Sequence, residues 1–188
     1  MSFKMIDVSS NNHEDGAAID WATVHTAGVR GVMIKATEGE SYVNPWLVTD
    51  AHGAVAAGLH VGYYHYARPG ESAPEAQANN CWQHVKDLPR DLGISLDLEV
   101  AEAMPWVGLD RFAMAFLGGP GGLPSQVATK TLYTDETFAA NLPMTVKAYP
   151  LWFASWGKRP RRHVWAWQRG QHDMAGVIGA VDYGTYFG

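Results

Sequence analysis

The sequence predicts an α/β barrel of about eight mostly parallel strands with fewer than eight helices. Two observations predict it. Short apolar runs alternate with helix-like stretches, and such runs recur about eight times within 188 residues. A regular eightfold barrel usually needs about 250 residues, so several helices must be short or missing. We therefore expect residues 1–188 to form a single domain.

The strands are predicted from runs of suitable length that are rich in β-branched and aromatic residues. They cover 3–8, 29–36, 59–66, 93–99, 129–133, 150–154, 164–168 and a short last run near 178–182.

The helices are predicted from start and stop signals between these runs. Asp20 and the pair Asn44-Pro45 are typical helix starts, and Gly28 and Gly58 are typical helix ends. Further helical patterns cover 72–88, 105–119 and 135–142.

The fourth strand contains an unusual pair of acids, in the sequence GISLDLEV at 93–100. Side chains two residues apart on a strand share a face, so Asp97 and Glu99 point the same way while Leu96 and Leu98 point the other way. Carboxylates are costly to bury without partners, which makes this pair a candidate site. The alternative is a frayed strand end whose acids pair with nearby basic side chains.

Polar residues also end the other predicted strands. In a parallel barrel these ends meet at one rim, where barrel enzymes build their active sites. Four carboxylates and several aromatic or amide side chains are therefore expected together: Asp7, Asp97, Glu99, Asp182, Lys35, Glu38, Tyr64, Tyr133, Trp152, Trp156 and Gln168.

Composition and charge exclude several classes of function. A net charge of −5 gives no reason to expect a nucleic-acid partner, and no apolar stretch is long enough to span a membrane. The dense basic stretch KRPRR at 158–162 is interpreted as a solvated loop rather than a polyanion-binding patch. The single Cys81 allows neither a disulfide framework nor a cysteine-based metal site.

The chemistry that best uses acids and aromatics together is glycoside cleavage. No paired-histidine metal spacing, phosphate-binding glycine loop or GxSxG nucleophile turn is present, so we expect neither a metal nor another cofactor. In glycosidases one carboxylic acid protonates the leaving oxygen, and another carboxylate attacks or stabilises the sugar cation. Glu99, beside Asp97 on an apolar strand, should have a raised pKa, as a general acid requires.

The chain resembles glycoside hydrolase family 25, the muramidases or lysozymes common among phage endolysins. The resemblance lies in seven motifs in the family's order: MIDVSSNN, GVMIKATEGESYVNPW, AAGLHVGYYHYARP, SLDLEV, LWFASWG, VWAWQ and GAVDYGTYF. It implies a flattened, partly degenerate barrel that cleaves the β-1,4 bond between N-acetylmuramic acid and N-acetylglucosamine in peptidoglycan.

The resemblance also implies roles for individual residues. Glu99 is similar to the proton donor, and Asp97 to the residue that orients the substrate's acetamido group or the intermediate. Asp7 and Asp182 resemble the family's other site acids, and Tyr64 with the tryptophans around 152–156 resembles its sugar-contacting wall. The chain departs from the family pattern at Asn11-Asn12-His13, Arg169 and Gly184. These departures affect the expected sugar preference and leave all four acids in place.

Several side chains have two interpretations. His65 is expected to be a packed, hydrogen-bonded residue rather than a base, and Glu102 a solvated acid outside the site. Lys35 and Glu38 either pair with each other or with Asp7, or they contact substrate. The nucleophile is either a carboxylate or the substrate's own acetamido group, and both routes predict net retention of configuration.

Two other functions remain open at this point. One is a catalytically silent wall-binding module on the same barrel, and the other is a hydrolase of a different N-acetylated glycan such as chitin.

The expected partner is bacterial peptidoglycan, and the chain is expected to act as a monomer. The start MSFKMIDVSS lacks the apolar segment of a signal peptide. We therefore expect synthesis in a host cytoplasm and action on the wall after release.

Overall fold

A computed structural model describes residues 2–188. Within them the chain forms nine strands and six α-helices. In chain order these are β1 (Phe3–Val8), α1 (Trp21–Thr26), β2 (Val29–Glu38), β3 (Tyr42–Val43), α2 (Leu47–Ala56), β4 (His60–Tyr66), α3 (Pro74–Val85), β5 (Gly93–Asp97), α4 (Trp106–Gly118), β6 (Lys130–Thr134), α5 (Glu136–Asn141), α6 (Pro143–Ala148), β7 (Leu151–Ala154), β8 (Ala166–Asp173) and β9 (Ala180–Tyr186).

Eight of the strands close into a barrel in the order β1-β9-β8-β7-β6-β5-β4-β2, and β2 pairs back with β1. Six of the eight pairings are parallel, which confirms the predicted class. Strand β9 is the exception, because it runs antiparallel to both β1 and β8. The short β3 extends β2 outside the closed barrel.

Local sequence signals explain where the helices begin and end. Asp20 and Asp135 accept hydrogen bonds from the backbone N–H of Thr23 and Phe138 at 3.0 and 2.9 Å, and so cap α1 and α5. Gly28, at φ 89°, takes the chain out of α1 in a conformation that other residues avoid.

Helix α6 was not predicted from the sequence, because its N-terminal cap comes from a distant residue. Asp110 on α4 is buried and accepts hydrogen bonds from the backbone N–H of Met144 and Thr145 at 3.0 and 2.9 Å. The cap therefore depends on tertiary packing, which a local pattern does not record.

The alternation along each strand produces two apolar layers. Outward side chains such as Ile6, Ile34 and Leu96 pack beneath the helices in the larger cluster. Inward side chains form a second cluster inside the barrel, whose members nearest the rim also border the polar end: Met5, Met33, Tyr64, Leu92, Tyr133, Trp152, Trp165 and Ala166. The upper end of the interior carries polar groups instead, and this places the candidate site. None of the described helices is both long and apolar enough to cross a bilayer.

Candidate active site

The four predicted carboxylates meet at one rim of the barrel. Asp7 lies near the end of β1, Asp97 ends β5, and Glu99 follows two residues later. Asp182 reaches the same rim for a reason the sequence did not predict. It lies near the start of β9, and because β9 is antiparallel, Asp182 pairs directly with Asp7.

These carboxylates line a cleft of about 480 Å³, which we call the rim cleft. Its lining comprises Asp7, Ser9, Asn11, Lys35, Tyr64, Tyr66, Asp97, Glu99, Tyr133, Asp135, Trp152, Ala154, Trp156, Gln168 and Asp182. Of the predicted site residues only Glu38 lies outside this lining.

Asp97 is the most enclosed of the four acids. Its side chain is 6% exposed, and its Oδ1 atom is buried without a hydrogen-bond partner. Burial raises the pKa of Asp97 well above its usual range, and the neighbouring Glu99 and Asp7 raise it further. Because an unpartnered buried carboxylate oxygen is costly, this atom is suited to accept a hydrogen bond from a ligand.

Glu99 is more open to solvent than Asp97, because β5 ends at Asp97 and not at residue 99 as predicted. The segment stays fixed beyond the strand through buried Leu98, whose N–H donates to Tyr133 O at 3.1 Å and whose carbonyl accepts from Thr134 Oγ1 at 3.0 Å. The in-and-out alternation therefore continues, and Glu99 faces the cleft.

The surroundings of Glu99 favour its protonated form. Partial desolvation raises the pKa of Glu99 above its usual value, and the charges of Asp135 and Asp182 act in the same direction. The Tyr66 hydroxyl and the Lys35 ammonium oppose this rise without cancelling it. A carboxylic acid with a raised pKa at the mouth of a cleft can donate a proton near neutral pH.

A hydrogen-bonded chain fixes Asp7. The Tyr133 hydroxyl donates to Gln168 Oε1 at 2.8 Å, and Gln168 Nε2 donates to Asp7 Oδ2 at 3.1 Å. In this chain Gln168 directs its Nε2 to Asp7 and its Oε1 to Tyr133. Gln168 and Tyr133 are buried and position this acid, and their predicted contact with substrate stays a prediction.

Asp7 and Asp182 form a closely interacting pair. Burial raises the pKa of Asp7 well above its usual range, the Asp182 charge raises it further, and the hydrogen bond from Gln168 acts against both. Burial also raises the pKa of Asp182, whose Oδ1 atom lies buried without a hydrogen-bond partner.

The aromatic residues of the rim have different surroundings. Trp152 is only 2% exposed and packs against Tyr133 and Tyr64 at centroid distances of 4.5 and 6.0 Å. Trp152 is therefore mainly a packing residue of the barrel interior, and the predicted stacking of a sugar on it stays a prediction. Its buried Nε1–H has no hydrogen-bond partner. Trp156 is 64% exposed on the same cleft and remains the candidate for stacking.

Lys35 and Glu38 pair with each other, as one of the two sequence interpretations proposed. Lys35 Nζ donates to Glu38 at 2.6 Å, and Arg68 Nε donates to Glu38 at 2.7 Å. Burial alone would raise the pKa of Glu38, but these two donors outweigh it and lower that pKa. Lys35 still lines the rim cleft, whereas Glu38 lies behind it.

Glu102 is not the solvated acid that the sequence suggested. It accepts hydrogen bonds from Arg68 Nη1 and from Gly70 N, both at 3.0 Å. These bonds tie the loop after β5 to the loop after β4. Glu102 is absent from the lining of the rim cleft, as expected.

Sequence reasoning missed Tyr66 and Arg68. Tyr66 lies between two cations, with Lys35 Nζ 4.7 Å and Arg68 Cζ 5.1 Å from its ring centroid. The sequence HYARP contained a signal, because Tyr66 follows Tyr64 by two residues and so shares its inward face. Burial raises the pKa of Tyr66 to about 12, so its hydroxyl stays protonated and can donate to Glu99.

His65 is a structural residue, as predicted. It points outward from the barrel and is fully buried between Thr37 Oγ1 at 2.8 Å and Gln77 Oε1 at 3.0 Å. Burial lowers the pKa of His65 to about 4, which keeps the ring neutral.

A second lobe of about 310 Å³ adjoins the rim cleft beyond Asp7 and Asp182, with Asn11, Glu14 and Gln171 in its lining. A buried pair anchors the loop that forms one side of it. His13 Nε2 and Asp50 Oδ2 lie 2.9 Å apart. The imidazole also stacks on Trp46 at a centroid distance of 4.0 Å. The two lobes together make a groove with the acids near its middle.

Comparisons with known proteins match this chain to one family. The family model described as glycosyl hydrolases family 25 matches residues 6–180. The autolytic lysozyme of Clostridium acetobutylicum is 31% identical over 155 residues, which cover 82% of this chain and 45% of that protein. The N,O-diacetylmuramidase of Chalaropsis sp. is 43% identical over 95 residues, or 47% of this chain and 44% of that protein.

The fold is also shared with solved structures. The bacterial lysozyme of Streptomyces coelicolor superposes with a TM-score of 0.82 at 25% identity, covering 99% of this chain and 92% of that one. By contrast, the chain spans less than half the length of the two curated relatives named above. Because the family model covers nearly the whole chain, this protein belongs to glycosyl hydrolase family 25.

Proposed function

We propose that this chain is a muramidase, which hydrolyses the β-1,4 bond between N-acetylmuramic acid and N-acetylglucosamine in bacterial peptidoglycan. One observation carries the proposal. The rim cleft holds an acid with a raised pKa, Glu99, two residues from a buried carboxylate, Asp97, whose Oδ1 atom lacks a partner. The relatives named lysozyme and N,O-diacetylmuramidase support it.

In the proposed mechanism Glu99 donates its proton to the glycosidic oxygen as the bond from that oxygen to the sugar C1 breaks. Asp97 Oδ1 accepts a hydrogen bond from the acetamido N–H of the same sugar. In the free cleft burial favours protonated Asp97, and this new donor favours its ionised form instead. Ionised Asp97 increases the electron density on the acetamido carbonyl oxygen, which attacks C1.

The second step returns the proton. Glu99, now a carboxylate, removes a proton from water as the water oxygen attacks C1 and displaces the acetamido oxygen. Each attack inverts C1, so the sequence retains the β configuration. Direct attack by a carboxylate would retain it as well. Asp7, held by Gln168, and Asp182 stabilise the positive charge that develops on the sugar.

The proposed binding mode places one glycan strand along both lobes of the groove. The Trp156 ring is exposed and can stack on one sugar, while Tyr64 and Lys35 provide polar contacts beside the acids.

The acting unit is the barrel itself, residues 1–188, as a monomer. We further propose that it serves as the catalytic domain of a phage endolysin, made in the host cytoplasm and acting on the wall after release.

Digestion of purified peptidoglycan, followed by borohydride reduction and mass spectrometry, tests the activity. A muramidase creates a new reducing end on N-acetylmuramic acid, so muramitol-terminated fragments are expected. Reduced N-acetylglucosamine ends would contradict the assigned bond. Hydrolysis of chitin oligomers at a comparable rate would instead indicate a broader glycanase, and wall binding without any fragments would indicate a silent binding module. The matched control is Glu99→Gln.

A further inference from the structure

The connection between β7 and β8, residues 155–165, carries an unusual concentration of positive charge. Parallel strands require the chain to return from one end of the barrel to the other, usually through a helix. Here the sequence SWGKRPRRHVW makes the return without one. Four of the chain's 14 Lys and Arg residues lie at 158–162.

Most of this charge is not neutralised. Arg162 pairs with Glu136 at 2.8 Å, but among residues 2–188 no carboxylate lies within ion-pair distance of Lys158, Arg159 or Arg161. These three side chains are exposed. Arg159 is held on the surface by the Phe187 ring, with Cζ 5.5 Å from its centroid.

The surface beneath these cations is concave. A depression of about 440 Å³ is lined by Arg159, Arg161 and Phe187, and another of about 470 Å³ by Lys147 and Trp165. Both share Arg162 and His163, so the two adjoin. We call this surface the basic groove: Lys147, Arg159, Arg161, Arg162 and His163. The exposed Lys158 precedes it in the chain.

The basic groove contrasts with the rim cleft. The cleft lining contains five carboxylates and one cation, Lys35, in a chain whose net charge is −5. A polyanion is therefore repelled from the cleft and attracted to the groove. The connection starts at the cleft, where Trp156 forms part of the wall, and leads to the groove, which shares none of its lining residues with the cleft.

We propose that the basic groove binds a phosphodiester-linked polyanion of the bacterial wall, and so holds the enzyme on its insoluble substrate while the cleft stays free for glycan. This inference rests on the proposed function, because only a wall hydrolase meets such a polymer together with peptidoglycan. A linear chain of phosphates suits the groove better than a single ion does, because the cations are spread along two adjoining depressions. The concave shape and the missing carboxylate partners favour this role over the simple solvated loop predicted from the sequence.

The test compares two double variants of equal charge, both on the Glu99→Gln background so that walls stay intact. Arg159→Gln/Arg161→Gln removes two groove cations. Lys86→Gln/Arg111→Gln removes two exposed cations on other elements. Cosedimentation measures binding to native walls and to walls stripped of phosphodiester polymer with hydrofluoric acid.

We expect the groove variant to bind native walls about fivefold more weakly than the control variant at low ionic strength. The difference should shrink with added salt and vanish on stripped walls. An equal loss in both variants, or a loss that persists on stripped walls, would overturn the proposal. So would binding confined to vesicles of anionic lipid, which would assign the groove to a membrane surface.

Soluble glycan fragments separate this inference from the proposed function. With Glu99 restored, both double variants should hydrolyse such fragments at the wild-type rate, because the groove lies outside the cleft. If wild-type protein fails to hydrolyse them, the proposed activity is wrong whatever the wall-binding result. Hydrolysis with no phosphodiester-dependent binding would reject the groove alone.

Discussion

Asp7 and Asp182 face each other directly across the antiparallel pair β1–β9, so two carboxylates project from the same face of the barrel at one rim. Like charges in directly opposite positions destabilise a sheet. The folded chain nevertheless holds the two carboxylates together, and the hydrogen bond that Gln168 donates to Asp7 offsets part of their repulsion. Such an arrangement lowers stability in favour of a functional site.

Replacing one of these acids should therefore stabilise the protein at neutral pH. Burial raises the folded-state pKa of Asp182, so ionisation costs stability as the pH rises through that value. Asp182→Asn removes the cost, and we expect a gain of up to about 1 kcal/mol at pH 7, the scale of one cross-strand pair. The gain should disappear below the unfolded-state pKa of about 3.9, where Asp182 is protonated in both states. Urea denaturation at several pH values measures it.

Asp87→Asn is the matched control for that experiment, since Asp87 is exposed in the turn after α3. It should show little change at any pH. A gain of Asp182→Asn that is independent of pH would show that ionisation of Asp182 is not its origin.

Glu99→Gln should keep the fold and lower the rate of wall hydrolysis by a factor on the order of 10²–10⁴, because the amide cannot protonate the leaving oxygen. Glu102→Gln provides the comparison. It should retain most activity and lose thermal stability, since Glu102 joins two loops through Arg68 and Gly70. Near-normal lysis by Glu99→Gln would show that Glu99 is not the proton donor and would leave Asp182, which lines the same cleft, as the candidate acid.

The two tryptophans of the predicted sugar wall should respond in opposite ways. Trp156→Ala should raise KM with little change in melting temperature, because the exposed ring contributes contact area to a sugar. Trp152→Ala should lower the free energy of unfolding by about 3–5 kcal/mol, because it leaves a cavity inside the barrel. Calorimetry and initial rates on the same preparations distinguish the two roles. Unchanged kinetics in Trp156→Ala would remove this residue from the site.

Tyr133→Phe tests the hydrogen-bonded chain that ends at Asp7. Loss of the hydroxyl frees the Gln168 amide to rotate, so Asp7 loses a defined donor. We expect roughly a fivefold lower kcat/KM, the equivalent of about one net hydrogen bond. The pH profile should also shift, since the Gln168 bond holds down the pKa of Asp7. Tyr149→Phe, far from the rim cleft, should change neither quantity.

The alternation of side chains along strands explains why much of the site was predictable. Asp97 and Glu99 share a face by strand geometry alone, and the pattern persists past the end of β5 because Leu98 is anchored to β6. Asp182 was assigned to the correct rim on an incorrect assumption. A parallel last strand would have brought its end there, whereas the antiparallel β9 brings its beginning.

Contacts between distant residues explain what the sequence did not predict. The motif LWFASWG contains two tryptophans, and only packing against Tyr133 and Tyr64 buries one of them. Arg68 bonds Glu38 and Glu102, each at least 30 residues away along the chain, so no local pattern marks it. Periodicity reports which face a side chain takes, but it does not report the partners found there.

The last prediction concerns the configuration of the product. Asp97 and Glu99 project from one edge of one strand, so they approach the sugar from neighbouring positions rather than from opposite sides of the ring. An inverting enzyme needs its two acids about 6.5–9.5 Å apart, with water between the base and the sugar. The unpartnered Oδ1 of Asp97 suits contact with the acetamido group, so we expect net retention. NMR spectra at early times should show the β anomer of the new reducing end first. If the α anomer precedes mutarotation, water attacks directly, and Asp7 or Asp182 across the rim becomes the base that activates it.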